Sequence, residues 1–177
     1  MSLDAHTEAV ASVNLTTVYL AAEIIAGRLH KRQKVLICGN GGSAADSQHL
    51  AAELVGKFKE ARQAFAAVSL ASDPAVLTCV ANDFGYTEVF SRQVQALGQP
   101  GDVLIAISTS GKSPNILRAV ECAEEMALFT IALTRKGSPL ESRCDLAITV
   151  DSPSTARIQE AHLFAEHMLC EYIEQSF

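Results

Sequence analysis

The chain has 177 residues, 49% of them apolar and 19% charged, with a formal net charge of −6, which fits one globular domain with its own core and leaves no long disordered segment. Its Lys and Arg residues are interspersed with acids, which excludes the basic patch of a nucleic-acid binder, and no apolar run has the length of a membrane span. The five cysteines stand singly, and the start MSLDAHTEAV lacks a basic flank followed by an apolar block, so a cytoplasmic chain with reduced thiols is expected.

Residues 3–31 carry Val10, Val13, Val18, Leu20, Ile24, Ile25 and Leu29 near helical period, predicting one N-terminal helix with Gly27 a minor interruption. KVLICG (34–39) is a nearly continuous apolar run ending in glycine, the pattern of a strand buried on both faces, and a helix from about Ser43 to Lys59 follows. FAAVSL (65–70) reads as a second strand, DPAVLTCVAN (73–82) as a short helix with Pro74 in its first turn, and TEVFSRQVQAL (87–97) as another helix. Then come the strand DVLIAIS (102–108), a helix over 113–127 opening on Pro114, the strands FTIALT (129–134) and LAITV (146–150), and a closing helix over 155–175.

Strands separated by helices need crossovers, so the chain is predicted to be α/β: one domain over 1–177 whose core, 34–177, is a three-layer α/β/α sandwich around a mostly parallel sheet of about five strands. Ligands of such sheets bind beyond the carboxyl ends of the strands, where the segments CGNGGS and STSGKS both fall.

In the first segment Gly39, Gly41 and Gly42 let the backbone approach an anion, and Ser43 opens a helix whose dipole favours negative charge. The glycines alone are equally consistent with a tight strand–helix turn, and their spacing matches neither a dinucleotide fingerprint nor a Walker loop. The second segment is more specific. Ser108, Thr109, Ser110 and Ser113 put four hydroxyls within six residues at another helix start, where an N-cap needs only one, so a phosphate monoester is the expected ligand. Cys38 is the only cysteine near this chemistry.

One helical turn beyond the first loop, His49 and Glu53 form an i, i+4 pair able to act on one ligand, although such a pair standing alone reads more readily as a surface interaction. The last helix offers Gln159, Glu160, His162, Glu166 and His167 beside an apolar face of Ile158, Ala161, Leu163, Ala165, Met168, Leu169 and Ile173; its polar residues are equally consistent with a solvated face.

Four ordered segments, CGNGGSAADSQHLAAEL, VANDFGY, GDVLIAISTSGKSPN and ARIQEAHLFAEH, together resemble the phosphoheptose isomerase family of the sugar isomerase (SIS) superfamily, over roughly residues 30–175. The resemblance implies a flavodoxin-like SIS domain, a homotetramer with residues 1–31 as an oligomerisation helix and active sites between subunits. It also implies interconversion of sedoheptulose 7-phosphate and D-glycero-D-manno-heptose 7-phosphate, the first step of heptose supply to the lipopolysaccharide core. Carried onto this chain, Asn40, Gly41, Gly42, Asn82, Asp83, Ser108, Thr109, Ser110 and Ser113 match substrate-binding positions, with Ser43 joining the phosphate set and Glu53 and Gln159 the sugar set. His49, Glu53, Gln159 and His167 match the positions that hold zinc in members where metal is seen, and Glu53 and His167 match the acid/base pair of an enediol isomerisation. Two departures stand out: Ala156 where many relatives carry an acid, and Lys57 where Arg is familiar.

Ser43 and Glu53 are ten residues apart, about 15 Å of helix, the scale of an extended seven-carbon sugar phosphate. The competing expectations are a non-catalytic SIS adaptor resembling the replication initiator-associating factor, and an isomerase of another phosphosugar. His49, Glu53 and His167, which the adaptors lose, favour the enzyme.

Overall fold

The computed structural model describes residues 2–177. Its centre is a five-stranded sheet, all parallel, in the order β2-β1-β3-β4-β5, with β1 Val35–Gly39, β2 Ala67–Ser69, β3 Val103–Ser108, β4 Phe129–Arg135 and β5 Leu146–Val150. Every residue of β1 and β3 is buried, as their unbroken apolar runs require of strands covered on both faces.

The two faces are separate cores. Val35, Ile37, Val103, Ile105 and Ile107 point to a layer formed by α1 Leu3–Ala11, α2 Leu15–His30, α3 Gly42–Val55 and α7 Thr155–Glu174. Leu36, Cys38, Leu104 and Ala106 point to the other layer, formed by α4 Pro74–Phe84, α5 Ser91–Leu97 and α6 Pro114–Glu125. The strand alternation therefore assigns each side chain to one helical layer.

Three expectations need correction. The N-terminal segment is two helices, not one. Asn14 accepts hydrogen bonds from Thr16 N and Thr17 N and so starts α2 afresh after Ser12 closes α1, while Gly27 interrupts nothing. The helix expected over 87–97 begins as a single 3-10 turn, Tyr86–Glu88, before α5. In α7, His162 and Glu166 are fully buried instead of solvated, whereas Leu163, assigned to the apolar face, is 37% exposed.

No single helix among the described residues is long and apolar enough to cross a membrane. The pair α1 and α2 would pass together but is bent by 56° between them, and α2 turns Val18, Ala21, Ala22, Ile25 and Leu29 into the core.

Candidate active site

The strand order reverses between β1 and β3. From β1 the chain runs into α3 on one face of the sheet, and from β3 it runs into α6 on the other, so the two loops part and leave a crevice at the topological switch point. A cleft of about 120 Å³ opens there, lined by Asn40, Ser43, Ile107, Ser108, Thr109, Ser110, Ser113 and Gln159. Seven of these are polar residues singled out in the sequence, drawn from the turn after β1, the first turn of α3, the end of β3 with the loop after it, and α7.

The chemistry of the cleft suits an anion. The N-termini of α3 and α6 flank it, and it presents hydroxyls with no carboxylate in its lining. Ser108 Oγ accepts from Gly111 N at 3.1 Å, Ser110 Oγ accepts from Lys112 N at 3.2 Å, and the Ser108 and Ser113 hydroxyls are 3.4 Å apart. Gly111 has φ +62°, and a Cβ there would collide with the Ser138 and Thr134 hydroxyls. Gly42 is required for a different reason: a Cβ would displace the Gln159 amide, which lies against it.

The loops are tied to each other. Asn40 Nδ2 donates to Asn115 Oδ1 and Asn115 Nδ2 donates back to Asn40 Oδ1, both at 2.9 Å, while Tyr86 OH donates to Asn40 Oδ1 at 3.1 Å. Neither Asn115 nor Tyr86 was assigned a role from sequence, though both lie inside the segments that carry the resemblance. Asn82 and Asp83 are exposed on α4, where Asn82 Nδ2 donates to Asp83 Oδ1 at 2.7 Å, and they are not among the cleft's lining residues.

Further along α3 a second group forms. His49 Nε2 and His167 Nε2 are 2.9 Å apart, and His49 Nε2 lies 3.8 Å from Glu53 Oε1. The Phe58 ring covers His167 at a centroid distance of 5.3 Å. Burial lowers the His167 pKa and the neighbouring His49 lowers it further, against the opposing pull of Glu53, so its imidazole is largely neutral near pH 7 and able to take up or give a proton.

A further polar group is buried close to that pair. Glu166, adjacent to His167 in sequence, has its pKa raised well above the usual carboxylate value by burial and by Asp46. Asp46 is itself raised by burial, with His49 opposing. His162 has its pKa pushed down to about 4 by burial, with the Thr134 backbone opposing. The expectation that Cys38 neighbours the chemistry meets a fully buried side chain whose thiol is pushed well up by burial, the environment of an inert core cysteine.

The four residues expected to hold zinc do not close on one point. Two imidazoles converge, Glu53 stands back from them, and Gln159 lines the serine cleft. Among the described residues no three His, Cys, Asp or Glu side chains are grouped as a metal site.

Comparison with known proteins decides the family. The SIS domain family matches residues 2–135. A phosphoheptose isomerase of Campylobacter concisus is 46% identical over 99% of this chain and 94% of its own length. The chain belongs to the phosphoheptose isomerase family, within the SIS domain superfamily. Another member of the family, from Nitratiruptor, is 50% identical over 90% of this chain and 86% of its own. Among solved family structures, that of Francisella tularensis superposes with a TM-score of 0.91 at 37% identity, covering 98% of this chain and 93% of its own. That of Neisseria gonorrhoeae gives 0.85 at 44% identity, covering 90% and 86%.

Proposed function

We propose that the chain is an aldose–ketose isomerase that interconverts sedoheptulose 7-phosphate and D-glycero-D-manno-heptose 7-phosphate, the supply step for lipopolysaccharide-core heptose. The observation that carries this is the pairing of a hydroxyl-lined anion cleft at the N-terminus of α3 with a Glu/His group on the same helix. The phosphate would sit against Ser43, Ser108, Thr109, Ser110 and Ser113, with Asn40, Gly41, Gly42 and Gln159 along the sugar and Asn82 and Asp83 reaching its outer hydroxyls.

The reaction moves one hydrogen between adjacent carbons. Glu53, the proposed base, takes the proton from the carbon beside the carbonyl, giving a cis-enediol, and returns it to the neighbouring carbon. His167 moves a proton between the two oxygens, a task suited to a neutral imidazole beside a carboxylate. Each positioned proton-transfer group contributes on the order of 10²–10⁴ in rate.

Zinc retention by His49, Glu53, Gln159 and His167 rests on the facing imidazoles alone, and no step above depends on it. Assembly into a homotetramer with shared active sites is supported by Leu15, Tyr19 and Leu20, which leave an apolar surface on α2 at 43%, 48% and 45% exposure. Five free cysteines support a reducing, cytoplasmic setting.

The test is NMR of the protein with sedoheptulose 7-phosphate in deuterated water. The aldose should form with solvent deuterium at the transferred position. Unchanged substrate with no exchange would refute the isomerase reading and favour a binding role. Light scattering of the same sample checks the tetramer.

A further inference from the structure

We propose that Arg62 is a positioning residue for the reaction: its guanidinium sets the separation of Glu53 and His167 by fastening the carboxyl end of α3 to the carboxyl end of α7. The inference rests on the reading of Glu53 and His167 as the acid/base pair.

Arg62 lies in the irregular segment between α3 and β2, outside every motif that carries the resemblance. Its guanidinium nevertheless makes more bonds than any other cation near the site. Nη2 donates to Glu53 O at 2.7 Å, and Nη1 donates to Leu54 O at 2.9 Å, Gln63 O at 3.0 Å and Gly56 O at 3.3 Å. The last carbonyls of a helix have no partner within it and carry the negative end of its dipole, so a cation spread across them is a strong cap. Here one capped carbonyl belongs to Glu53 itself.

The remaining nitrogen reaches α7. Arg62 Nε donates to Glu174 Oε1 at 3.0 Å, and the two side chains are only 7% and 4% exposed. Glu174 also accepts from Phe58 N at 2.8 Å, Lys59 N at 2.9 Å and Glu60 N at 3.1 Å. Burial alone would raise its pKa, but the three amides and Arg62 together bring it below the usual value. It therefore stays ionised as the permanent anchor of the clamp.

Glu174 follows His167 by seven residues, close to two full turns, so the two project from nearly the same face of α7 about 10 Å apart. Fixing Glu174 thus fixes the face that presents His167. The bond from Phe58 N to Glu174 adds a second link, because the Phe58 ring packs against the His167 imidazole. The Phe65 ring lies 3.9 Å beneath the guanidinium and holds its plane.

A lysine could keep the charge but not the fork, since the geometry needs a planar group serving two helices at once. The neighbouring Lys59–Glu171 pair, 2.8 Å apart with side chains 55% and 33% exposed, is solvated and cannot substitute.

The experiment compares Arg62→Lys and Arg62→Ala with Asp102→Asn, which removes a buried ion pair with Lys34 at the far end of the sheet and lowers the melting temperature without approaching the site. For the Arg62 variants kcat should fall by roughly 10–100-fold, the loss expected for an ångström-scale displacement. KM should stay within about twofold because the serine cleft is untouched. Added guanidinium at low millimolar concentration should restore part of the Arg62→Ala turnover. Imidazole nitrogen NMR should show the His49 and His167 signals shifted more than that of His6, whose ring bonds Glu160 at 2.6 Å near the opposite, amino end of α7.

An Arg62→Lys enzyme that loses no more turnover than Asp102→Asn at equal melting temperature, with unmoved His49 and His167 signals, overturns the proposal. If the wild-type chain does not turn over sedoheptulose 7-phosphate, the acid/base reading fails on that result alone. The imidazole signals then decide the clamp: a shift in Arg62→Lys supports it, and no shift rejects it. Should Arg62→Ala not fold, Glu174→Gln applies the same measurements from the α7 side.

Discussion

His49 Nε2 faces His167 Nε2 at 2.9 Å, so one imidazole from the middle of α3 and one from α7 meet with a single hydrogen between them. Whichever ring donates, the other must be an acceptor and hence uncharged. Proton traffic at this junction is therefore sensitive to small displacements of either helix.

Replacing Glu53 by Gln keeps its shape and removes the base. Turnover should fall by roughly 10²–10⁴, and deuterium uptake into the sugar should stop. Affinity for inorganic phosphate, read by calorimetry, should be unchanged, because Glu53 does not line the serine cleft.

Gly111→Ala tests the phosphate loop. At φ +62°, with the Ser138 and Thr134 hydroxyls against the new methyl, the variant should lose about 1–3 kcal/mol of stability. Phosphate affinity should weaken with it. Urea unfolding and phosphate titration check the two effects separately.

His162 governs an acid limb of stability. Its folded pKa of about 4 lies below the ordinary 6.5, so between those values the unfolded chain binds a proton that the folded chain rejects. Stability falls as pH drops through this window, by roughly 3 kcal/mol in all. Unfolding free energies at pH 7 and pH 4.5 should differ markedly less in His162→Gln than in the parent.

Glu166 acts in the opposite sense. Its raised pKa keeps the folded chain protonated above the ordinary value of 4.5, so the stability tied to that proton is whole below 4.5 and wanes as pH climbs toward the folded value. Glu166→Gln, neutral at every pH, should melt above the parent at pH 8, with the gap narrowing toward pH 5.

For zinc, metal analysis after loading and desalting should find metal in the parent and a loss in His49→Ala and His167→Ala. Imidazole NMR with and without chelator should show both rings perturbed together, since both would be ligands of the metal.

Much of the architecture was legible because buried parallel strands write themselves as apolar runs. KVLICG, DVLIAIS and FTIALT became β1, β3 and β4 within one or two residues. The serine loop was legible for a related reason: four clustered hydroxyls exceed what any turn needs. The break between α1 and α2 was not, because apolar periodicity runs straight through Ser12–Asn14 and only the side-chain cap of Asn14 reveals the restart. Burial of His162 and Glu166 was equally hidden, since a helical period gives a face but not whether a polar residue on it meets solvent. Arg62 left no trace at all: its partners are mostly backbone carbonyls, which carry no residue identity.

The reciprocal amide pair between Asn40 and Asn115 also bears on how a ligand enters. Because each loop already holds the other in place, the crevice exists before anything arrives, and an incoming ester need not recruit wandering segments. Capture should thus resemble a plug meeting a finished socket, with speed limited by encounter rather than by rearrangement.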